Sequence, residues 1–201
     1  MTKSLIMATH NAHKFKEAKK LFPPSIELKS LADIGLNDPI PETGNTFDYN
    51  AFLKAKFVAQ KLNVNCFADD SGLVVEALGG QPGIHSARYA GEGATDEENL
   101  QLLLANMEQQ ENRKAYFITV ICLIWKETIY YFEGKINGKL LNSPKGSDGF
   151  GYDPIFIPEG GDKTFAEMTD AAKNKISHRA IAMKKLQEFL ATQTQKVDQT
   201  P

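Results

Sequence analysis

The tightest constraint on this chain is a pair of β-prone runs separated by only two residues. Residues 115–125 (AYFITVICLIW) and 128–133 (TIYYFE) are rich in β-branched and aromatic side chains. A parallel crossover needs a dozen or more residues, so a two-residue connection predicts an antiparallel hairpin. The longest apolar stretch, Ile118–Trp125, lies inside this pair. It is too short to span a bilayer, which takes about 20 residues.

The first half of the chain reads differently. Ser4–Thr9 (SLIMAT) predicts a buried strand, and a polar turn at His10 and Asn11 leads into a helical pattern. Phe15, Ala18, Leu21 and Phe22 fall on one face of that helix, which Pro23 and Pro24 stop. Residues 25–46 read mostly as loop. A second helix follows, capped by Asn45 or Thr46, with Phe47, Ala51, Ala55, Val58, Ala59 and Leu62 on one face and lysines on the far side. Cys66–Ala68 predicts a strand ending at Asp69-Asp70-Ser71-Gly72; residues 73–78 either continue it or begin another element.

Beyond a Gly/Pro loop at 79–83, Thr95 and Glu98 form a capping box that starts a helix with Leu100, Leu103, Leu104 and Met107 buried. Asn137-Gly138 reads as a turn, and residues 143–163 as a loop around Ile155–Ile157. The last helix carries Ile181, Ala182, Leu186, Phe189 and Leu190. The expected class is α/β, a mixed sheet flanked by helices. Residues 1–192 are expected to form one domain and 193–201 a frayed polar tail.

Composition excludes several classes. Lys and Arg total 23 against 25 Asp and Glu, a net charge of −2, without the basic excess of nucleic-acid coating proteins. Hydrophobic residues make up 42%, enough for a substantial core. Two cysteines in apolar surroundings, Cys66 and Cys122, form no disulfide framework, which points to a reducing compartment. The opening MTKSLIMAT holds no adequate signal-peptide apolar region. The expectation is a cytoplasmic protein with neither nucleic-acid nor membrane partners.

Phosphate-loop, dinucleotide-fold, nucleophile-elbow and zinc-protease motifs are absent. Four other segments carry chemistry. Thr9–Lys14 joins a strand to a helix start, where backbone N–H groups and the dipole suit an anion and Lys14 adds charge; it also reads as an ordinary capped turn. Asp69-Asp70 sets two adjacent carboxylates beside an apolar run, which is costly unless they meet a cation or protein donors. Neighbours in an extended chain point to opposite faces, so one of the two faces any given ligand. Hard oxygen ligands suit Mg²⁺ shared with phosphates; the other reading is a turn with a capping Asp. Ser147–Pro154 offers glycines for close approach, two aromatics to cover a planar base and Asp153 to accept from it, or else forms a tight turn. Lys173 is followed by Ser177-His178-Arg179; with Ser177 as the cap of the last helix, His178 and Arg179 occupy its first turn, against its dipole, as a site or as a solvated patch.

Together these segments resemble the inosine/xanthosine triphosphate pyrophosphatase family. The resemblance rests on T-x-N-x-x-K at 9–14, P-E-T-G at 41–44, T-F-x-x-N-A-x-x-K-A at 46–55, A-D-D-S-G at 68–72, P-G-I-x-S-A-R-Y at 82–89, G-F-G-Y-D-P at 149–154 and S-H-R at 177–179. It covers about residues 5–190 with every motif in order. It implies an elongated two-lobed fold with a nucleotide cleft between the lobes, a homodimer, and Mg²⁺-dependent cleavage of non-standard purine nucleoside triphosphates (ITP, dITP, XTP) to monophosphate and pyrophosphate, which cleanses the nucleotide pool.

Carried over by motif, Thr9, His10, Asn11 and Lys14 hold the triphosphate, and Glu42 and Asp70 face the metal. Asp70 is the proton acceptor and Ser71 contacts substrate. Phe150, Gly151, Tyr152, Asp153, Lys173, His178 and Arg179 form the base and ribose pocket, with Arg179 reading the purine C6 oxygen. His10 stands where the family commonly has Gly, and Tyr49 where it often has an acid. The rival readings are a Maf-like pyrophosphatase for other modified nucleotides and a non-enzymatic nucleotide-binding protein.

Overall fold

The continuous apolar run at the start has a simple cause. In a computed structural model, which describes residues 3–197, strand β1 (Lys3–Met7) is buried on both faces. Leu5 and Met7 pack with Phe67, Ile121 and Leu123 against helices α1 (Ala12–Leu21) and α5 (His178–Val197). Ile6 and Ala8 point the other way, joining Cys66, Ala68 and Cys122 against Ala51, Ala55 and Val58 of α2 (Phe47–Leu62). The period of two along a strand sorts these side chains, so Leu5–Ala8 holds no polar residue, while Ser4 at the start of the strand is exposed.

Strand β1 pairs in parallel with β2 (Ile26–Lys29) and with β3 (Cys66–Val75). Strands β4 (Lys114–Trp125), β5 (Thr128–Leu140) and β6 (Phe156–Pro158) complete a mixed six-stranded sheet in the order β2-β1-β3-β4-β5-β6, with β5 and β6 antiparallel. The two residues between β4 and β5, Lys126 and Glu127, have φ of 50° and 66°. These left-handed values match the two-residue turn that the twist of a hairpin favours.

The chain divides into two compact units. The first comprises the residues up to Asp70, Val120–Gly134 and those from Arg179 on; the second comprises Ser71–Thr119 and Lys135–His178. The second unit has its own core, in which Leu73 and Val75 of β3 and Phe117 of β4 pack with Leu100, Leu103 and Met107 of α3 (Asp96–Asn106). The capping box of α3 forms as the sequence predicts, with Thr95 and Glu98 bonded reciprocally.

Four expectations change. Residues 25–46 hold strand β2, and the pair of acids sits inside β3 rather than at its end, because the strand continues to Val75. Asn137-Gly138 is strand, not turn: Gly138 pairs with Pro158, and a Cβ there would lie 2.3 Å from the Ile157 carbonyl oxygen. Helix α5 runs to Val197, through residues 193–197 of the expected tail; residues 198–201 lie outside the described residues. No described helix is long and apolar enough to cross a membrane.

Candidate active site

The alternation that builds the core also builds the site. Phe67 faces α1 and α5, and Asp69, two residues on, keeps that side. Cys66 and Ala68 face α2, and so does Asp70. Asp69 accordingly meets Lys14 of α1 at 3.2 Å and Arg179 of α5 at 3.6 Å. Asp70 meets two α2 side chains, Lys54 at 3.5 Å and Asn50 at 3.3 Å.

The segment before α1 is a tightly wired turn. Asn11 accepts from the Lys14 N–H at 3.0 Å and so caps the helix, while Thr9 Oγ1 accepts from the Asn11 N–H at 3.1 Å. His10 is exposed and donates from Nε2 to the Asp38 carbonyl at 2.9 Å. Thr9 is buried.

Lys54 overturns the expectation that the α2 lysines lie on the far side. Its ammonium is buried and bonds Glu42 at 2.5 Å besides Asp70. The sequence carried a usable signal, since residues 51, 54, 55 and 58 share one helical stripe. Burial of the cation is possible because two carboxylates meet it. Asn50 completes the arrangement: its Oδ1 accepts from the Gly44 N–H at 2.8 Å, which fastens the segment that carries Glu42. Gly44 lies so close that a Cβ would sit 2.6 Å from that oxygen.

Burial is the main cause that raises the Asp70 carboxyl above the ordinary carboxylate range; Lys54 and Lys14 pull it down, and Glu42 and Asp69 push it up. Burial pulls the Lys54 ammonium down, but Asp70, Glu42 and Asp69 together lift it above its usual value. Burial thus accounts for the upward direction at Asp70, and the surrounding negative charge for that at Lys54.

Among the described residues, ion pairs here join three cations (Lys14, Lys54, Arg179) with four carboxylates (Glu17, Glu42, Asp69, Asp70). A polyanion entering this cluster would need a further cation. No described group of three or more His, Cys, Asp or Glu is placed to hold a metal. Glu42 and Asp70 nevertheless suit Mg²⁺, which is commonly bound by one or two carboxylates together with substrate phosphates and waters.

The second unit gathers most of the residues expected around the base. Lys173, on α4 (Asp170–Ile176), donates to Asp153 Oδ2 at 2.7 Å, and both are buried. Its ammonium lies over the rings of Phe150 at 5.2 Å and Phe165 at 5.6 Å. Asp153 Oδ2 also accepts from the Phe150 N–H at 3.0 Å. Gly149 permits this turn, with φ of +81° and no room for a Cβ, which would fall 2.1 Å from that oxygen. The Gly151 N–H donates to Asp96 at 2.9 Å. Tyr152 is buried and donates to the Ser86 carbonyl at 2.8 Å. His178 stacks on Phe117, ring centroids 4.7 Å apart, and Ser71 Oγ lies 2.8 Å from Thr119 Oγ1.

Arg179 lies near the start of α5. It belongs to the first unit, is 2% exposed, and pairs with Glu17 as well as Asp69.

Residues 5–189 match the model of the Ham1 family. The chain belongs to the Ham1 family. A protein of Christiangramia forsetii named dITP/XTP pyrophosphatase is 49% identical over 187 residues, 93% of this chain and 98% of that protein. A Bacillus subtilis protein of the same name is 47% identical over 192 residues, 94% of this chain and 97% of its own. The structure of the Staphylococcus aureus Ham1 protein aligns with a TM-score of 0.86 at 39% identity, covering 95% of this chain and all of that one. The α/β fold read from the sequence is therefore that of the Ham1 structures.

Two members of the charged cluster escaped the sequence reading. Glu17 drew no reading, and Lys54 entered only as one letter of a motif and among the lysines expected on the far side of α2. Both acquire meaning from carboxylates or cations far away in sequence, which periodicity cannot supply.

Proposed function

We infer that this Ham1-family chain hydrolyses non-standard purine nucleoside triphosphates (dITP, ITP and XTP) to the monophosphate and pyrophosphate. The observation that carries this reading is the 49% identity to a dITP/XTP pyrophosphatase along almost the full length of both chains. The charged cluster of the first unit supports it, because phosphoryl transfer needs positioning and charge neutralisation more than a covalent nucleophile.

In this reading Lys14, with Thr9, His10 and Asn11, receives the triphosphate. Asp70 takes the proton from a water whose oxygen bonds to the α-phosphorus, while the bond between that phosphorus and the α–β bridging oxygen breaks and pyrophosphate leaves. Burial suits Asp70 to the task, since a carboxylate raised above its ordinary range is a better proton acceptor. Lys54 holds Asp70 and Glu42 together. When bound at Glu42 and Asp70, Mg²⁺ would supply charge neutralisation and a lower pKa for water. Ser71, Phe150, Gly151, Tyr152, Asp153, Lys173 and His178 are assigned to the base and ribose. Arg179, which pairs with Glu17 and Asp69, is assigned there too, as the reader of the purine C6 oxygen.

Residues 1–192 act as one functional domain, and the enzyme works as a cytoplasmic homodimer. The test is product analysis with dITP in Mg²⁺ and then with excess chelator. Pyrophosphate and dIMP as first products, with activity lost in chelator, are expected. Orthophosphate and diphosphate as first products, or full activity in chelator, would contradict it.

A further inference from the structure

We propose that Asp69 is a positioning residue for Lys14, set in place by Arg179 and Glu17; this rests on the reading of Lys14 as a triphosphate ligand. Four charges alternate in sign along one path: Lys14, Asp69, Arg179, Glu17. Lys14 and Glu17 stand three residues apart on α1, so the path leaves that helix, crosses β3 and α5, and returns to it. Its middle members are the most buried. The Asp69 and Arg179 side chains are 0% and 2% exposed, against 15% for Lys14 and 17% for Glu17.

An isolated buried carboxylate or guanidinium would be costly, but an alternating set compensates each charge. The open ends are the two α1 side chains, and the cationic end is the one a phosphate could reach. Lysine has a flexible four-carbon stem and a point charge, so without a fixed partner its ammonium would sample many positions. Asp69 supplies that partner, and Arg179 and Glu17 hold Asp69 in register. Asp69 thus acts through Lys14, whereas Asp70 faces α2.

The test is a double-mutant cycle of Lys14→Ala and Asp69→Asn, read by kcat and KM for dITP and by calorimetric binding of inorganic tripolyphosphate. A misplaced binding group can cost on the order of 10²-fold. The expected result is a rise in KM, and a matching loss of tripolyphosphate affinity, of about tenfold or more in each single variant. The double variant should be no worse than Lys14→Ala by more than about twofold, because contacting groups that act as one do not add.

Should Asp69→Asn fail to fold, Asp69→Asn with Arg179→Gln removes the adjoining charge too, and the same cycle is run with that pair. Full additivity, or unchanged tripolyphosphate binding in Asp69→Asn while Lys14→Ala loses it, would overturn the positioning role and leave Lys14 as a phosphate ligand. Unchanged binding and KM in Lys14→Ala would instead overturn the assignment of Lys14 itself, and the positioning role with it.

Discussion

Two neighbours in sequence, Asp69 and Asp70, occupy opposite sides of one strand and belong to different charge environments. Asp69 is held between Lys14 and Arg179, on the side of α1 and α5. Asp70 is held by Lys54 and Asn50, on the side of α2, with Glu42 sharing the lysine. The first arrangement alternates in sign and its acids are matched by cations. The second sets two acids against one lysine. The difference teaches that an acidic pair on a strand is two sites, separated by the pleat, rather than one site with doubled charge. The matched side is built to hold a cation still. In the proposed reading the acid-rich side takes a proton or a metal.

The largest expected effect comes from the acid-rich side. Asp70→Asn keeps the volume and removes the proton acceptor, so kcat for dITP should fall by about 10²–10⁴. Stability should not fall with it. The folded state holds the Asp70 proton more tightly than the unfolded chain does, so in wild type this group costs stability as pH rises above the ordinary carboxylate value. Chemical denaturation at pH 7 should show Asp70→Asn at least as stable as wild type. A folded Asp70→Asn enzyme with near-normal turnover would remove the distinction between the two acids.

Next in size is Lys54→Met, which leaves the buried Asp70 and the half-buried Glu42 without their shared cation. Breaking such a pair costs about 3–5 kcal/mol, measurable by denaturant titration at neutral pH. The pH dependence has a definite sign. The Lys54 ammonium is raised in the folded state, so its contribution is fully present below the ordinary lysine value and is lost as pH climbs through the folded value. Wild type should therefore lose stability on the alkaline side more steeply than Lys54→Met.

Asn50→Ala should cost less, about 1–3 kcal/mol, because it strands the Gly44 N–H and removes a donor from Asp70. It should also raise the Mg²⁺ concentration needed for half-maximal rate, since Glu42 loses its fastening. Thr46→Ala removes only the α2 cap, where Thr46 Oγ1 accepts from the Tyr49 N–H at 3.4 Å. The expected cost is about 1 kcal/mol, with KM unchanged. Tripolyphosphate binding should survive both changes if the two sides of β3 are separate.

Much of this was legible in the sequence, and the reasons are local. SLIMAT, the α1 and α2 stripes, the α3 capping box and the two-residue hairpin each carry their own signal within a few residues. Strand β2 was missed because it is only four residues long, buries Leu28 alone and lies among Pro and Asp residues, so no period develops. Gly138 looked like turn chemistry because Asn-Gly favours turns; here the glycine serves the close approach of β6. The opposite orientation of Asp69 and Asp70 followed from strand geometry. What held each of them did not, because Lys14, Lys54, Glu17 and Arg179 come together only through the packing of three helices on one sheet.

The most direct test of divided roles is a side-by-side measurement of kcat and KM for dITP in Asp69→Asn and Asp70→Asn. The account predicts that Asp70→Asn loses about 10²–10⁴ in kcat, whereas Asp69→Asn keeps kcat within about tenfold and shows its defect mainly in KM. Equal losses of kcat in the two variants, or a larger loss in Asp69→Asn, would contradict it.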